Sequence, residues 1–382
     1  MRDENIEKKE NKEKEQKKQK KRLVILCVLV AVIVIALAGI VAGKMMKTGE
    51  NKGESTNQST GSQLSSSSAE ILQTSSGASS GASSQPSSQT PLQAETVTPG
   101  ETDGTDGSDG KDNTSGQTSL DISADSIYSS NALLVRLSDH AVLLDKGGED
   151  IIYPASMTKI MTALVAIEAL PDLDENIQIT AEQINPLYLE GASLAGFSAG
   201  EVVTVRDLLY GVLLPSGAEA CVALADRVAG SETAFVELMN QKAQELGLSN
   251  THFVTDSGLH DDNHYTTCAD LAALLEYALS NETFRTVFTA HSYTCTPTDY
   301  HPEGLYLAST LFQKLETDTL ANGAVIEGGK TGYTEEAQLC LASLASFQGQ
   351  EYILITAHAE GNHYTEQFNL TDACSVYGQL KE

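Results

Sequence analysis

Leu23–Gly43 reads LVILCVLVAVIVIALAGIVAG, 21 residues without a charge. As a helix rising about 1.5 Å per residue, the run would extend roughly 32 Å, the thickness of the hydrocarbon core of a bilayer. Ahead of it lies a Lys-rich stretch ending Lys17-Lys18-Gln19-Lys20-Lys21-Arg22, and such clusters stay on the cytoplasmic side. The expected layout is a cytoplasmic basic tail over 1–22, a transmembrane signal-anchor over 23–43, and everything later outside. A cleaved signal peptide is the competing reading, because Ala36-Leu37-Ala38 has the small-x-small form of a cleavage site. The length of the apolar run favours the anchor.

The same run divides the charge. The first 47 residues hold 12 Lys+Arg against 6 Asp+Glu, a net of +6, which leaves −34 of the total of −28 for residues 48–382. A nucleic-acid binder needs cations to neutralise phosphates, so no nucleic-acid partner is expected for so anionic a chain. Residues 44–120 follow as a tether: 39 of the 73 residues from 48 to 120 are Ser, Thr or Gly, too little apolar surface to offset chain entropy. A coil of that kind has an end-to-end distance of about 45 Å. The acidic repeat Asp103-Gly104-Thr105-Asp106-Gly107-Ser108-Asp109-Gly110 lacks the closing Glu of a calcium loop and reads as linker.

Residues 121–382 are left as one folded domain of enzyme size. Cys221, Cys268, Cys295, Cys340 and Cys374 show no C-x-x-C spacing, so neither a zinc site nor a redox pair is expected and they read as small buried residues. The runs Ala132–Leu137 and Val142–Leu144 predict a β-hairpin. Pro154 and Ser156 open a helix that continues through IMTALVAIEAL. Further helical patterns cover 205–230, 232–248 and 267–279, the last opened by Thr267 with Asp270 three residues on. Gln338–Ser346 and Tyr352–His358 read as strands around the polar turn Gln348-Gly349-Gln350. Strands at both ends of a mostly helical middle predict an α+β fold whose antiparallel sheet is built from both ends of the domain and packed against helices.

Chemistry sits at the junctions. Ser156 and Lys159 are three apart at a helix start, which places hydroxyl and ammonium on one face. A serine is a poor nucleophile until a base takes its proton, and a desolvated lysine can be that base. Leu213-Leu214-Pro215-Ser216-Gly217 puts a second hydroxyl in a loop between helical segments, where it can relay a proton. Gly329-Lys330-Thr331-Gly332 offers a cation and a hydroxyl for a substrate carboxylate, with Gly332 letting a substrate backbone lie close. His260 and His264, four apart near Asp261 and Asp262, lie in a loop and read as structural rather than as zinc ligands. No metal and no cofactor is expected.

Ser-x-x-Lys, a second serine and Lys-Thr-Gly, in that order, resemble the motif set of penicillin-binding proteins and serine β-lactamases. In detail the chain resembles the serine-type D-alanyl-D-alanine carboxypeptidases among the low-molecular-mass penicillin-binding proteins. The likeness rests on Pro154-Ala155-Ser156-Met157-Thr158-Lys159, Val205-Arg206-Asp207-Leu208-Leu209-Tyr210-Gly211, Phe235-Val236-Glu237-Leu238-Met239-Asn240, Asp256-Ser257-Gly258-Leu259 and Gly329-Lys330-Thr331-Gly332-Tyr333-Thr334. The resemblance implies a penicillin-binding, β-lactamase-like fold and a peptidoglycan stem peptide as substrate. It makes Ser156 the nucleophile, Lys159 the base, Ser216 the relay, and Lys330 with Thr331 the carboxylate anchor. It also implies an oxyanion hole of the Ser156 and Tyr333 backbone N–H groups, with β-lactams as covalent inhibitors. A tethered enzyme of this kind is expected outside the cell membrane, in a bacterium without an outer membrane.

Two departures stand out. The second motif of that family usually has Asn two places after the serine, whereas this chain reads Ser216-Gly217-Ala218, leaving Glu219 or water to substitute. The last loop reads Gly361-Asn362-His363-Tyr364 where an arginine is frequent. The alternatives kept open are a slow or non-catalytic penicillin- or peptidoglycan-binding protein, for which Ala218 is the evidence, and a class A-like β-lactamase.

Overall fold

The computed structural model describes residues 122–381. The expected basic tail, signal-anchor and tether lie outside the described residues. Among the described residues no helix is long and apolar enough to cross a membrane.

The predicted hairpin forms as β1 (Asn131–Arg136) and β2 (Ala141–Lys146). The C-terminal strands are β7 (Val325–Thr334), β8 (Gln338–Phe347) and β9 (Gln350–Ala359), and the sheet order is β2-β1-β9-β8-β7. Both ends of the domain therefore meet in one antiparallel sheet, with β1 paired along β9 from Asn131↔Ala357 to Arg136↔Tyr352. The central strands are nearly continuous in apolar residues because both of their faces are covered. Alternation still sorts the side chains: Leu133, Val135, Ala342, Leu344, Ile353 and Ile355 join the larger helical core. Ala132, Leu134, Leu341, Ala345 and Leu354 join a second core on the opposite face, as the period of two along a strand requires.

The larger core is organised by α1 (Lys159–Ala169), buried from Lys159 to Ile167. Around it pack α3 (Val205–Leu213), α4 (Ala218–Ala229), α5 (Glu232–Glu245), α6 (Cys268–Leu279) and α7 (Glu282–Phe288). A helix apolar on every side is stable only when surrounded. The single helical run expected over 205–230 is in fact two helices, interrupted at 214–217, and that break carries Ser216. Thr267 caps α6 by accepting the Asp270 N–H, but the Asp270 carboxylate turns instead to the Asn250 N–H and the Thr251 hydroxyl. The shorter acid thus closes a tertiary contact rather than a reciprocal cap.

The sequence reading left unassigned α2 (Ala181–Glu190), the small β3–β4 (Asn176–Gln178, Val202–Thr204) and β5–β6 (Ser292–Thr294, Tyr306–Ala308) pairs, and α8 (Phe368–Tyr377). Helix α8 covers the second core, and its buried Tyr377 hydroxyl donates to the Ser343 carbonyl at 3.1 Å. Cys221, Cys268, Cys295 and Cys340 are free and buried, and Cys374 is free and half-buried.

Candidate active site

A short turn of 3-10 helix, Ala155–Thr158, runs directly into α1, so Ser156 and Lys159 share a face. Lys159 Nζ lies 3.1 Å from Ser156 Oγ and donates to the Ser257 carbonyl at 2.5 Å. The lysine is 2 % exposed. Desolvation holds its pKa below the ordinary value of 10.5, opposed by the nearby Cys221, Asp256 and Glu219, which favours the neutral amine that a base needs.

The segment 251–267 builds the bed for this turn. His264 Nε2 is 2.8 Å from Thr158 Oγ1, while its Nδ1 accepts from the Val254 and Thr255 N–H groups. That network makes Nε2 the protonated nitrogen, and burial lowers the histidine pKa to about 4. Asn240 of α5 brackets Phe253, donating to its carbonyl and accepting its N–H. Gly258, at φ +81°, passes so close beneath the turn that a Cβ would stand 1.9 Å from the Ala155 carbonyl oxygen. Ala155 itself is held at φ 45°, in the left-handed region that side chains avoid.

Ser216 sits at the break between α3 and α4 at φ 71°. Its Oγ is buried without a hydrogen-bond partner. Ala218, at the place where Asn is usual, donates its N–H to the Ser193 carbonyl and lines the cleft beside Ser193. Oε1 of Glu219 accepts from the Gly196 and Phe197 N–H groups, while its Oε2 is buried without a hydrogen-bond partner. Burial raises its pKa. The polar group next to the missing asparagine is Ser193, a residue that no sequence pattern singled out.

Strand β7 has β8 as its single ladder partner in the sheet; on its other edge Val325 bridges Thr319 and the Ile326 N–H donates to the Asp318 carbonyl, ahead of the stretch 329–334. Gly332 lies where a Cβ would come within 3.0 Å of the Pro154 carbonyl and 3.2 Å of the Ser156 nitrogen. Its missing side chain lets the strand abut the nucleophile turn, bringing the backbone of Gly332-Tyr333 beside that of Ser156. Thr331 Oγ1 is 2.7 Å from Thr310 Oγ1. Lys330 is fully buried, donating Nζ to the Thr331 carbonyl at 2.9 Å. Desolvation and the charge of Lys159 hold its pKa well below the ordinary lysine value.

These elements enclose two joined spaces. A cleft of about 800 Å³ holds Ser156, Lys159 and Ala218 and is rimmed by Glu190, Glu232, Glu335 and Glu336. A pocket of about 50 Å³ lies between Ser156, Ser216, Thr331 and the start of α8, reached by Lys314 and Asn369. Tyr333 and His363 line both, with their rings edge to face at 4.6 Å. Burial and Lys314 lower the His363 pKa, so this imidazole favours the neutral form and does not replace an arginine. Lys314, Gln367 and Asn369 carry no motif and become visible only when the fold collects them.

A cleft of this build, with a hydroxyl beside a desolvated lysine and a free strand edge across from them, belongs to the serine acyl-transfer enzymes that use lysine as base. Residues 118–361 match the D-alanyl-D-alanine carboxypeptidase family, and the chain belongs to it. It is 36 % identical over 205 residues to the D-alanyl-D-alanine carboxypeptidase of Streptomyces K15, a match covering 52 % of this chain and 69 % of that one. It is 36 % identical over 216 residues to DacF of Bacillus subtilis, covering 56 % of this chain and 53 % of the relative, so it spans about half of DacF. The crystal structure of the Streptomyces K15 DD-transpeptidase superimposes with a TM-score of 0.60 at 29 % identity, covering 67 % of this chain and 99 % of that one.

Proposed function

We propose that the chain is a serine D,D-carboxypeptidase that removes the terminal D-Ala from peptidoglycan stem pentapeptides. The observation that carries this reading is the 3.1 Å approach of a buried Lys159 amine to Ser156 Oγ on the wall of the cleft. Ser156 attacks the carbonyl of the penultimate D-Ala as neutral Lys159 takes its proton. The Ser156 and Tyr333 N–H groups receive the developing oxyanion, since the strand and the turn abut at Gly332. Ser216 gives its proton to the leaving amine and takes the one held by Lys159, the C–N bond breaks, D-Ala departs, and Lys159 is neutral again. Water then attacks the acyl-enzyme, with Lys159 again taking the proton. Thr331, with Lys330 beneath it, sits at the carboxylate end. The same order of events predicts acylation by β-lactams, whose ring opens as the lactam C–N bond breaks, so that the leaving amine stays tethered to the acyl-enzyme.

Ala218 favours a second reading, a slow enzyme, because its methyl cannot hydrogen-bond Lys159 or a substrate amide; the Ser193 hydroxyl beside it is the available substitute. The apolar run 23–43 and its Lys-rich flank support attachment to the cell membrane with the catalytic domain outside, tested by protease accessibility in intact cells. For activity, the full chain is incubated with a fluorescent penicillin and with a pentapeptide ending D-Ala-D-Ala. Stable labelling with D-Ala release, both lost in Ser156→Ala, is expected. Labelling without release would mark a binding protein, and rapid loss of label with antibiotic hydrolysis a β-lactamase.

A further inference from the structure

The 50 Å³ pocket at the end of the β7 edge is built for a ligand in a way the three motifs do not explain. Two polar atoms in its lining residues, Ser216 Oγ and Asn369 Oδ1, are buried without hydrogen-bond partners. Ser216 is 5 % exposed and Asn369 1 % exposed. Buried polar atoms are almost always paired, so unpaired ones in a cavity wall mark where a partner arrives. The ammonium that reaches this pocket is that of Lys314, from the segment between β6 and β7. Lys330 lies behind the wall with Nζ spent on the Thr331 carbonyl; burial lowers the pKa of both Lys314 and Lys330, that of Lys330 well below the ordinary value. Lys314 Nζ donates to Gln367 Oε1 at 2.9 Å, immediately before α8, and Asn369 stands two residues further on. One of the three ammonium hydrogens is thus used to aim the side chain, and two remain.

We propose that Lys314 is the residue that takes the terminal carboxylate of the substrate, aimed by Gln367, with the Ser216 and Thr331 hydroxyls as its companion donors. Asn369 Oδ1 accepts a further ammonium hydrogen when Lys314 closes over the bound carboxylate. The amide oxygen faces a donor, the hydroxyl faces an acceptor, and both unpaired atoms are accounted for by one ligand. The assignment rests on the D,D-carboxypeptidase reading for its substrate. It makes recognition of the carboxylate depend on a segment outside every catalytic motif.

The test crosses the cation with the anion. The full chain, Lys314→Gln and Lys314→Arg are assayed on Nα,Nε-diacetyl-L-Lys-D-Ala-D-Ala and on the same peptide ending in a carboxamide. Penicillin and its methyl ester are compared as labels in parallel. For Lys314→Gln, KM for the acid peptide is expected to rise about tenfold, with kcat within about threefold, while the carboxamide is unaffected. Lys314→Arg is expected to stay within about threefold of the parent chain. Penicillin labelling should slow about tenfold in Lys314→Gln, with the methyl ester unchanged. Equal losses on acid and carboxamide, or on penicillin and its ester, would reveal a structural role and overturn the proposal, as would no loss on either. If the parent chain cleaves neither peptide, releasing neither D-Ala nor D-alaninamide, the carboxypeptidase reading fails. A carboxylate-dependent effect of Lys314 on penicillin labelling would then still establish the subsite.

Discussion

At one end of the cleft, four carboxylates, Glu190, Glu232, Glu335 and Glu336, rim a space of about 800 Å³. At the other, the hydroxyls of Ser216, Thr310 and Thr331 and the ammonium of Lys314 close around about 50 Å³. Glu190, Glu335 and Glu336 are exposed, as is Lys314, so the fields of these charges are screened by water and salt, and the two ends differ in how their hydroxyls are held. Ser216 and Thr310 are held in fixed frames, the first by a strained backbone and the second by its bond to Thr331. On the proposed reading, the tight end recognises what every D-Ala-D-Ala terminus has in common, and the open end tolerates what varies upstream. Ser156 and Lys159 stand where the two meet.

The comparison breaks most sharply at that junction. Ser156→Ala and Lys159→Met are each expected to lower the penicillin acylation rate by at least about 10³-fold, followed by stopped-flow fluorescence. Because burial holds the Lys159 pKa below 10.5, the neutral base accumulates as pH rises through that lowered value. The acylation rate should level off before pH 10.5; a profile still climbing there removes Lys159 as the base. Gly258→Ala tests the bed beneath the junction. With a Cβ 1.9 Å from the Ala155 oxygen, it should cost roughly 3–4 kcal/mol in denaturant unfolding and displace the nucleophile.

His264 tests the same bed by pH. Its pKa is about 4 in the folded chain against 6.5 in the reference state, so the unfolded chain binds the proton first as pH falls. The stability it contributes is complete above pH 6.5 and lost as pH drops toward 4, on the order of 3 kcal/mol. Urea midpoints across that window should fall, and His264→Gln should flatten the slope. At the tight end, Thr331→Val is expected to cost about tenfold in kcat/KM on an acid peptide, near 1.4 kcal/mol. At the open end, Glu335→Gln with Glu336→Gln should change kcat/KM on an uncharged peptide less than about threefold, altering mainly its salt dependence. A tenfold loss there, read in the same D-Ala assay, would erase the contrast between the ends.

Much of this was legible in order along the chain. The spacing of Ser156 and Lys159 at a helix start fixes their shared face, whereas Gly332, read from the sequence as room for a substrate backbone, gives that room to the chain's own turn at 154–156. The terminal strands announce themselves by alternation and turn residues. Other features were hidden for identifiable reasons. The loop at Pro215-Ser216-Gly217 is legible within the helical pattern over 205–230, but the left-handed backbone of Ser216, at φ 71°, is not. Glu219 was a candidate to fill in for asparagine, but a helix-start carboxylate also finds backbone N–H groups, and those of Gly196 and Phe197 won. His264 reads as structural in the sequence, but its partner Thr158, 106 residues away, has no local signal.

By itself the sequence determined the pairing of Ser156 with Lys159 and the β7 strand, because each depends on residue type and short spacing, which the local backbone converts into geometry. The tertiary structure alone decided how those groups behave. Burial of α1 and β7 sets the ionisation of Lys159 and Lys330, and burial is a property of everything packed around them. It also decided the far wall of the site, where Ser193, Lys314, Gln367 and Asn369 come from segments separated by up to 176 positions in the chain. Chain folding, and no motif, brings them to one pocket, since the cost of closing a long loop grows only slowly with its length.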